Sequence, residues 1–171
     1  MSVAVETGLW QLDPARSTVA VRQKTMWGMV TVNGTFAGIT GEGEVRPDGS
    51  ASGTVTVDAA SLDTKHTKRD THLRSADFFD VDRHPAITFA VRSCVPRTDD
   101  TVEVSGQLTV RGVSRPQSFT ARVTDSTADA VTLAAELTVD RTEFGISWNQ
   151  MGMMRGLTTI TTTLRFARAA A

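Results

Sequence analysis

The chain has 171 residues, with 18 Lys and Arg against 19 Asp and Glu, so its formal net charge is −1. That length suits a single domain spanning residues 1–171. The balanced charge argues against a nucleic-acid partner, which needs a basic surface, and no apolar run approaches the roughly 18 residues of a membrane-spanning helix.

The composition favours β-structure. Thr occurs 26 times and Val 19 times, and β-branched side chains suit a pleated sheet better than a helix. Strict alternation over residues 101–110 places Val102, Val104, Leu108 and Val110 on one face. The same period predicts about eight strands in chain order, from these apolar sets: Val19/Val21, Val30/Val32/Phe36, Val55/Val57, Ile87/Phe89/Val91, the 102–110 set, Phe119/Ala121/Val123, Val131/Leu133/Leu137/Val139 and Ile160/Leu164/Phe166.

One segment, residues 61–85, breaks the alternation. Thr67 followed by Asp70 resembles a capping box and predicts the start of a short helix, which Pro85 must end. Leu73 and Ala76 fall at helical spacing, so they predict the buried face, with Phe78 and Phe79 just beyond. The predicted outer face carries charged side chains, namely Lys68, Arg69, Arg74 and Asp77.

The apolar strand faces need a covering layer. Because one short helix cannot cover about eight strands, the sheet must close into an antiparallel barrel or fold into two layers. A barrel of this size is filled by its own side chains or holds one small ligand. A second irregular segment, residues 140–156, is rich in aromatic residues and Met, which favours a cavity for an adaptable apolar guest. The alternative is that its methionines plug a filled core.

Several motifs in one order resemble the YceI-like, polyisoprenoid-binding family. The most specific is residues 69–81 (RDTHLRSADFFDV), and the others are residues 12–17 (LDPARS), 60–64 (ASLDT), 84–89 (HPAITF), 106–116 (GQLTVRGVSRP) and 139–146 (VDRTEFGI). The resemblance extends from about Trp10 to Phe166. It implies a lipocalin-like, up-and-down barrel with a short helix near its mouth, holding a long isoprenoid or fatty amide tail.

The inward positions and the two irregular segments together predict the lining of the lumen. The candidate ligand contacts are Val19, Val21, Val30, Val32, Phe36, Phe78, Phe79, Ile87, Phe89, Val91, Leu108, Phe119, Leu133, Leu137, Phe144, Ile146, Trp148, Met151, Met153, Met154, Ile160 and Leu164. Arg69, His72 and Arg74 are candidates to hold a polar headgroup by charge-assisted hydrogen bonds. The alternative for these cations is a solvated helix face balanced by Asp63, Asp70 and Asp77.

Catalytic and metal-binding patterns are not evident in the sequence. His66, His72 and His84 are spaced by 6 and 12 residues, which places no pair on one helical face, so we predict no metal site. The single cysteine, Cys94, lies in a strand-like run and is interpreted as a small core residue. No nucleophile elbow, Walker loop or dinucleotide fingerprint occurs. We therefore expect a protein that is not an enzyme and needs no cofactor.

The predicted function is a carrier for a long hydrophobic lipid, such as an isoprenoid quinone, a polyprenyl phosphate or a fatty amide, with transient contact at a membrane surface. Two alternatives stay open. A barrel isomerase or cyclase would need a titratable pair inside the lumen, and a structural or interaction domain would have a filled core. Residues 1–10 contain no signal-peptide pattern, which predicts a cytoplasmic protein. The oligomeric state is open, with a homodimer as one option.

Overall fold

The computed structural model describes residues 7–98, 100–147, 149 and 157–169. Eleven strand segments account for most of them: β1 (Gly8–Leu12), β2 (Thr18–Thr25), β3 (Val30–Phe36), β4 (Ile39–Val45), β5 (Ala51–Asp58), β6 (Leu62–Asp63), β7 (Ala86–Pro96), β8 (Thr101–Val110), β9 (Val113–Ser126), β10 (Ala130–Asp140) and β11 (Leu157–Arg168). One α-helix, α1, covers Thr67–Arg74, and short 3-10 turns cover Pro14–Arg16, Met26–Gly28, Ala59–Ser61 and Arg141–Phe144.

The segments form a closed barrel with eight antiparallel walls. Three walls are interrupted strands: β1 with β2, β3 with β4, and β5 with β6. The other walls are β7 to β11, each paired with its neighbour in sequence. The last strand closes the ring because β11 pairs with β1 through Leu12 and Phe166 and with β2 through Val21 and Ile160. The prediction of an up-and-down antiparallel barrel of about eight strands is confirmed.

Hydrogen bonds from nearby residues bridge the break between β1 and β2. Asp13 caps the short turn at Pro14–Arg16 by accepting from the amide of Ala15, and the hydroxyl of Ser17 donates to the carbonyl of Asp13 at 2.7 Å. The same hydroxyl oxygen accepts from the amide of Arg165 at 3.0 Å. A side chain thus replaces the missing ladder bond to β11, which lets the wall bend without leaving a buried amide unpaired.

The alternation read from the sequence matches the observed facing. Along β8, buried and half-buried residues alternate without exception, and Val102, Val104, Leu108 and Val110 are all buried. The β4–β5 hairpin turns at Arg46, where the amide of Gly49 donates to the carbonyl of Arg46 at 2.9 Å. The local period of two therefore identifies the inner face of the strand.

Helix α1 differs from its prediction in its cap and in its outer face. The N-cap is His66, whose Nδ1 accepts from the amide of Arg69 at 3.1 Å, and Thr67 is the first helical residue. The carboxylate of Asp70 instead accepts hydrogen bonds from the amide of Thr64, at 3.0 Å, and from the hydroxyl of Thr64. The predicted capping box is therefore wrong. Residue 64 precedes the helix, and only the folded connection brings it within reach.

The connections divide between the two ends of the barrel. At the upper end lie the β2–β3 hairpin tip, helix α1 with the segment up to β7, the β8–β9 turn and the segment after β10. At the lower end lie the β4–β5, β7–β8 and β9–β10 turns together with the start of β1 and the end of β11. The predicted residues Trp148, Met151, Met153 and Met154 lie outside the described residues. In the described part of the chain, no helix has the length and apolar character needed to cross a membrane.

Candidate functional site

A central cavity of about 250 Å³ lies inside the barrel. Its lining is almost entirely apolar and comes from the inward positions of the strands. The structure places fifteen of the sequence-predicted residues in this lining: Val19, Val21, Phe36, Phe79, Ile87, Phe89, Val91, Leu108, Phe119, Leu133, Leu137, Phe144, Ile146, Ile160 and Leu164. Phe89, Val91 and Ile160 point inward yet are only half-buried, because they face empty space rather than packed side chains.

An upper cavity of about 300 Å³ lies between the β2–β3 hairpin and helix α1. Val30, Val32 and Phe78 line it as the sequence predicts, and so do Arg69 and His72. It shares Val21, Phe79, Arg141, Ile146 and Thr158 with the central cavity. Phe79 packs edge to face on Phe36 at a centroid distance of 6.0 Å, so an aromatic pair marks the junction of the two cavities.

A lower cavity of about 370 Å³ adjoins the central one at the other end. The two share Val55, Val91, Val104, Leu133 and Phe166, and the lower cavity adds Trp10 and Cys94. Burial raises the pKa of the Cys94 thiol, as expected for a group that is costly to ionise in apolar surroundings. Three adjoining cavities therefore follow the barrel from its upper to its lower end.

Helix α1 carries the predicted polar residues at the upper cavity. The guanidinium of Arg69 donates from Nε to the hydroxyl of Thr64 at 2.8 Å and from Nη2 to its carbonyl at 2.7 Å. His72 contacts Asp77 through Nε2 at 2.8 Å, and its ring packs edge to face on Phe78. Neighbours thus hold both side chains at the cavity, where 39% of the His72 side chain is exposed to solvent.

The third predicted headgroup residue, Arg74, lies elsewhere. Its guanidinium donates to the carbonyls of Ala60 at 3.0 Å and Leu62 at 2.8 Å, and it is not among the described residues that line the cavities. Arg74 therefore ties the helix to the barrel rim. The prediction that Arg69 and Arg74 lie on a solvated outer face is wrong for both, because the carbonyls and hydroxyl at the rim draw the two guanidinium groups inward.

The predicted site residues do not include Arg141, a charged residue that lines both the central and the upper cavity. It is 5% exposed, and its guanidinium donates from Nη1 to the buried carbonyl of Ile146 at 2.8 Å. Desolvation lowers the pKa of the Arg141 guanidinium, and the neighbouring Asp140 carboxylate opposes that shift. A signal was present in the sequence: the inward positions Val131, Leu133, Leu137 and Val139 continue by the same period to residue 141.

The loop that carries Arg141 is anchored from both sides. Asp140 accepts from the amide and hydroxyl of Thr142, and these hydrogen bonds lower the pKa of the Asp140 carboxyl. Gly145 has a φ of 77°, a left-handed conformation that closes the short turn. Arg111 then donates to the carbonyls of Gly145 and Ala76, which links this loop to the segment after α1.

The site combines an apolar central cavity with cationic donors at its upper end, and Glu42 and Glu44 are among the residues that line the lower cavity. Among the described residues that line the central cavity, Arg141 is the sole ionisable side chain. A search of the described residues finds no group of three His, Cys, Asp or Glu side chains that could hold a metal ion. Such a site can surround an alkyl or isoprenyl chain and offer hydrogen bonds to an acceptor oxygen at the upper end.

A family model described as the YceI-like domain matches residues 10–166. Among curated proteins, Protein YceI of Escherichia coli O6:H1 is 42% identical over 69 residues, which is 40% of this chain and 36% of that protein. A UPF0312 protein of Ectopseudomonas mendocina is 41% identical over 68 residues, again 40% of this chain and 36% of that protein. These matches thus span about a third of the length of the relatives.

Solved structures show the same fold at low identity. BcnA of Burkholderia cenocepacia superposes with a TM-score of 0.81 at 22% identity, over 90% of this chain and 98% of that one. A polyisoprenoid binding domain from Saccharophagus degradans, implicated in plant cell wall breakdown, gives 0.77 at 15% identity, over 96% of this chain and 100% of that one. The Campylobacter jejuni YCEI protein gives 0.73 at 19% identity, over 83% and 88%.

Proposed function

The chain belongs to the YceI-like family, and from that premise we propose that it is a non-catalytic carrier for one long isoprenoid or fatty lipid. The observation that carries the proposal is the series of three adjoining cavities inside a closed barrel. The polyisoprenoid binding domain of Saccharophagus degradans has the same fold, which supports an isoprenoid chain as the ligand. An elongated, apolar interior suits a slender tail better than a compact metabolite.

The free energy of moving a lipid tail into the barrel differs greatly according to whether the tail comes from water or from a membrane. A tail of about 20 carbons moved from water into the lumen gains roughly 16 kcal/mol at ~0.8 kcal/mol per CH₂. The bilayer interior offers the same tail nearly the same gain, and ordering the chain costs entropy. Preference for the protein over a membrane must therefore come from the headgroup and from the shape of the lumen.

The polar residues at the upper end supply that headgroup site in our proposal. Arg69, His72 and Arg141 all line the upper cavity, and each can donate a hydrogen bond to an acceptor oxygen. A quinone carbonyl, a phosphate and an amide carbonyl all meet this requirement, and two guanidinium groups favour an anionic headgroup most. The tail would then extend past the Phe36–Phe79 pair into the central and lower cavities.

Native mass spectrometry of protein purified without detergent tests lipid binding directly. We expect a hydrophobic adduct that organic extraction removes and that added isoprenoid restores. Phe89→Arg places a cation against the apolar central cavity and should abolish loading, because an unpaired charge in that lining is costly to desolvate. Thr161→Arg is the matched control, since Thr161 is exposed on the outer face of β11 and should leave loading unchanged.

A second variant distinguishes loss of lipid binding from loss of folding. Ala135→Phe narrows the central cavity with an apolar side chain and should reduce loading of long tails while keeping the far-UV circular dichroism of the wild type. The carrier proposal would be refuted if the Phe89→Arg protein took up as much lipid as the Thr161→Arg protein and the wild type. It would also be refuted if the wild-type protein took up no lipid after extraction.

The alternatives receive less support from the described residues. A barrel isomerase or cyclase needs a proton-transfer pair at the substrate, and the one ionisable side chain among the described residues of the central lining is an arginine, which stays protonated. His72, which contacts Asp77, lines the upper cavity, and Glu42 and Glu44 line the lower one, so such a pair would have to act at an end of the lumen. A filled structural core is disfavoured by the cavities themselves. The cytoplasmic location, the membrane contact and the homodimer option stay predictions.

A further inference from the structure

Exposed large apolar side chains concentrate at the upper end of the barrel. Of the seven that occur among the described residues, five lie there, and we call them the apolar rim: Met26, Trp27, Met29, Val30 and Leu157. The other two, Leu9 and Val95, lie near the lower end. Met29 is 76% exposed and Trp27 is 52% exposed. A cluster of this kind on one end marks an interaction surface, whereas scattered single residues do not.

The backbone of the hairpin tip adds an independent argument. Met26 and Trp27 have φ angles of 51° and 55°, so two consecutive non-glycine residues are left-handed in the four-residue connection between β2 and β3. Asn or Gly adopts this conformation at lower cost and is the usual choice in hairpin tips. Residues in sparsely populated backbone conformations cluster at functional sites, so the strain at this tip favours a functional role for it.

The charge around the rim points to the class of partner. Arg22 and Lys24 are exposed on the outer face of β2, directly below the tip. Between Asp13 and Glu42 the sequence contains no acidic residue. Lys68 is exposed at the start of α1, on the other side of the upper cavity. The hairpin side is therefore an apolar tip flanked by cations, which is complementary to the interface of an anionic bilayer, where Trp is also favoured. The exposed acidic residues of the upper end lie elsewhere, in the segments after α1 and after β10: Asp77, Asp82 and Glu143.

The apolar rim is continuous with the upper cavity. Val30 belongs to both, since it lines the cavity and is 44% exposed. Thr25 and Val32, on either side of the tip, also line the cavity. A surface that docks through the tip therefore lies against the entrance of the lumen, and a lipid tail could move between bilayer and barrel without crossing water.

We propose that the apolar rim docks the barrel on an anionic lipid bilayer, with Trp27 and Met29 inserted at the interface and Arg22 and Lys24 on the headgroups. The role of this docking in lipid exchange rests on the proposed carrier function, whereas the docking itself rests on the surface. The rim is the part of the barrel that touches the membrane, and the upper cavity is the route by which the lipid enters.

Vesicle flotation tests the proposal with the full chain. We expect the wild type to bind vesicles of phosphatidylcholine mixed with phosphatidylglycerol, and to bind more weakly to phosphatidylcholine alone or at high salt. Met29→Glu should lower the partition coefficient by about tenfold or more, because it removes an inserted apolar group and adds a repelled charge. Leu9→Glu is the matched control, since Leu9 is 62% exposed near the opposite end, and should bind as the wild type does.

Fluorescence quenching locates the contact. Brominated phospholipids in the same vesicles should quench tryptophan emission of the wild type, and Trp27→Phe should remove most of that quenching. Equal vesicle binding by Met29→Glu and Leu9→Glu would overturn the proposal. A dimer in light scattering that Met29→Glu dissociates would also overturn it, because the rim would then be covered by a second copy of the chain.

Loading in the absence of vesicles separates this inference from the proposed function. The probe is cis-parinaric acid, a fluorescent fatty acid added from ethanol, and Met29→Glu should load it as the wild type does. If both proteins load the probe but neither binds vesicles, the docking surface is refuted and the carrier proposal is not. If neither loads it, the carrier proposal fails, while vesicle binding that Met29→Glu abolishes would still support the docking surface.

Discussion

Arg141 is the one ionisable side chain among the described residues of the central lining. A guanidinium that is 5% exposed and lines an apolar cavity bears a large desolvation cost, and its hydrogen bond to the carbonyl of Ile146 offsets part of it. Asp140, which raises the pKa of the guanidinium, lies next to it in sequence at the end of β10. Because burying a cation contributes little to the stability of a fold, we expect Arg141 to act mainly on the choice of ligand headgroup.

Replacing Arg141 by Met should change ligand preference while the protein stays folded. The methionine fills a similar volume without a donor, so the preference for an anionic over a neutral headgroup on the same tail should fall by about tenfold, the worth of one charge-assisted hydrogen bond. Competition between a fatty acid and its methyl ester measures this preference. Arg115→Met is the control, because Arg115 donates to the carbonyl of Glu143 from outside the cavities. An unchanged preference in the Arg141 variant would exclude a headgroup role.

At the scale of elements, the β7–β8 pair shows how close packing shapes the lumen. The register shifts between Val91 and Ser93, and Gly106 lies opposite Val91. A Cβ at position 106 would approach the carbonyl oxygen of Ala90 to 2.3 Å and the ring of Phe89 to 2.8 Å. Gly106 therefore leaves the space that the Phe89 ring needs to lie along the inner wall, where it contacts Phe119 at a centroid distance of 5.4 Å.

Gly106→Ala should accordingly destabilise the barrel. Because the nearest obstacle is backbone, the strands must separate or Phe89 must leave its position, at a cost of about 2 kcal/mol. Urea unfolding measures the difference. Gly43→Ala is the matched control: its Cβ would meet the carbonyl oxygen of Ser52 at 3.4 Å, an acceptable contact, and its stability should change by about 0.5 kcal/mol or less. Similar losses in both variants would show that strand propensity, rather than the close approach at Gly106, determines the effect.

At the scale of the whole molecule, the three cavities make tail length a measurable variable. The proposed headgroup site lies at the upper end, whereas Cys94 lines the lower cavity. A tail long enough to fill the barrel should shield Cys94 from iodoacetamide, and a short tail with the same headgroup should not. The thiolate is the reactive form, and burial raises the pKa of Cys94, so we expect slow alkylation near neutral pH that accelerates as the pH rises.

Chain unfolded in guanidinium chloride provides the reference rate for this reaction. Equal protection by long and short tails would show that the ligand does not extend from the upper to the lower cavity. Protection by the long tail alone would support a lipid that occupies the full length of the lumen.

Residue patterns alone were enough to predict the strands and their inner faces, but they left a closed barrel and two packed layers as alternatives, and the family resemblance favoured the barrel. Side chains alternate across a strand with a period of two whatever the tertiary context, so the facing of β8 and most of the lumen lining could be read directly. About eight such strands with a single short helix can bury their apolar faces either by closure or by packing in two layers, and the pairing of β11 with β1 and β2 shows that the sheet closes. The family resemblance was carried by local motifs and was likewise accessible.

Contacts between segments that are distant in sequence fix the empty volume, the cap of the helix and the surroundings of the charged residues. Asp70 accepts from Thr64 instead of forming the predicted capping box, and Arg74 donates to the carbonyl of Leu62. Both partners come from chain segments outside the helix. Arg141 is buried because the loop after β10 folds over the barrel. The exposure of Trp27 likewise depends on how the other elements pack around the β2–β3 hairpin. An empty volume is a small difference between the size of a closed ring and the side chains within it, and strand register, not residue type, sets the size of that ring.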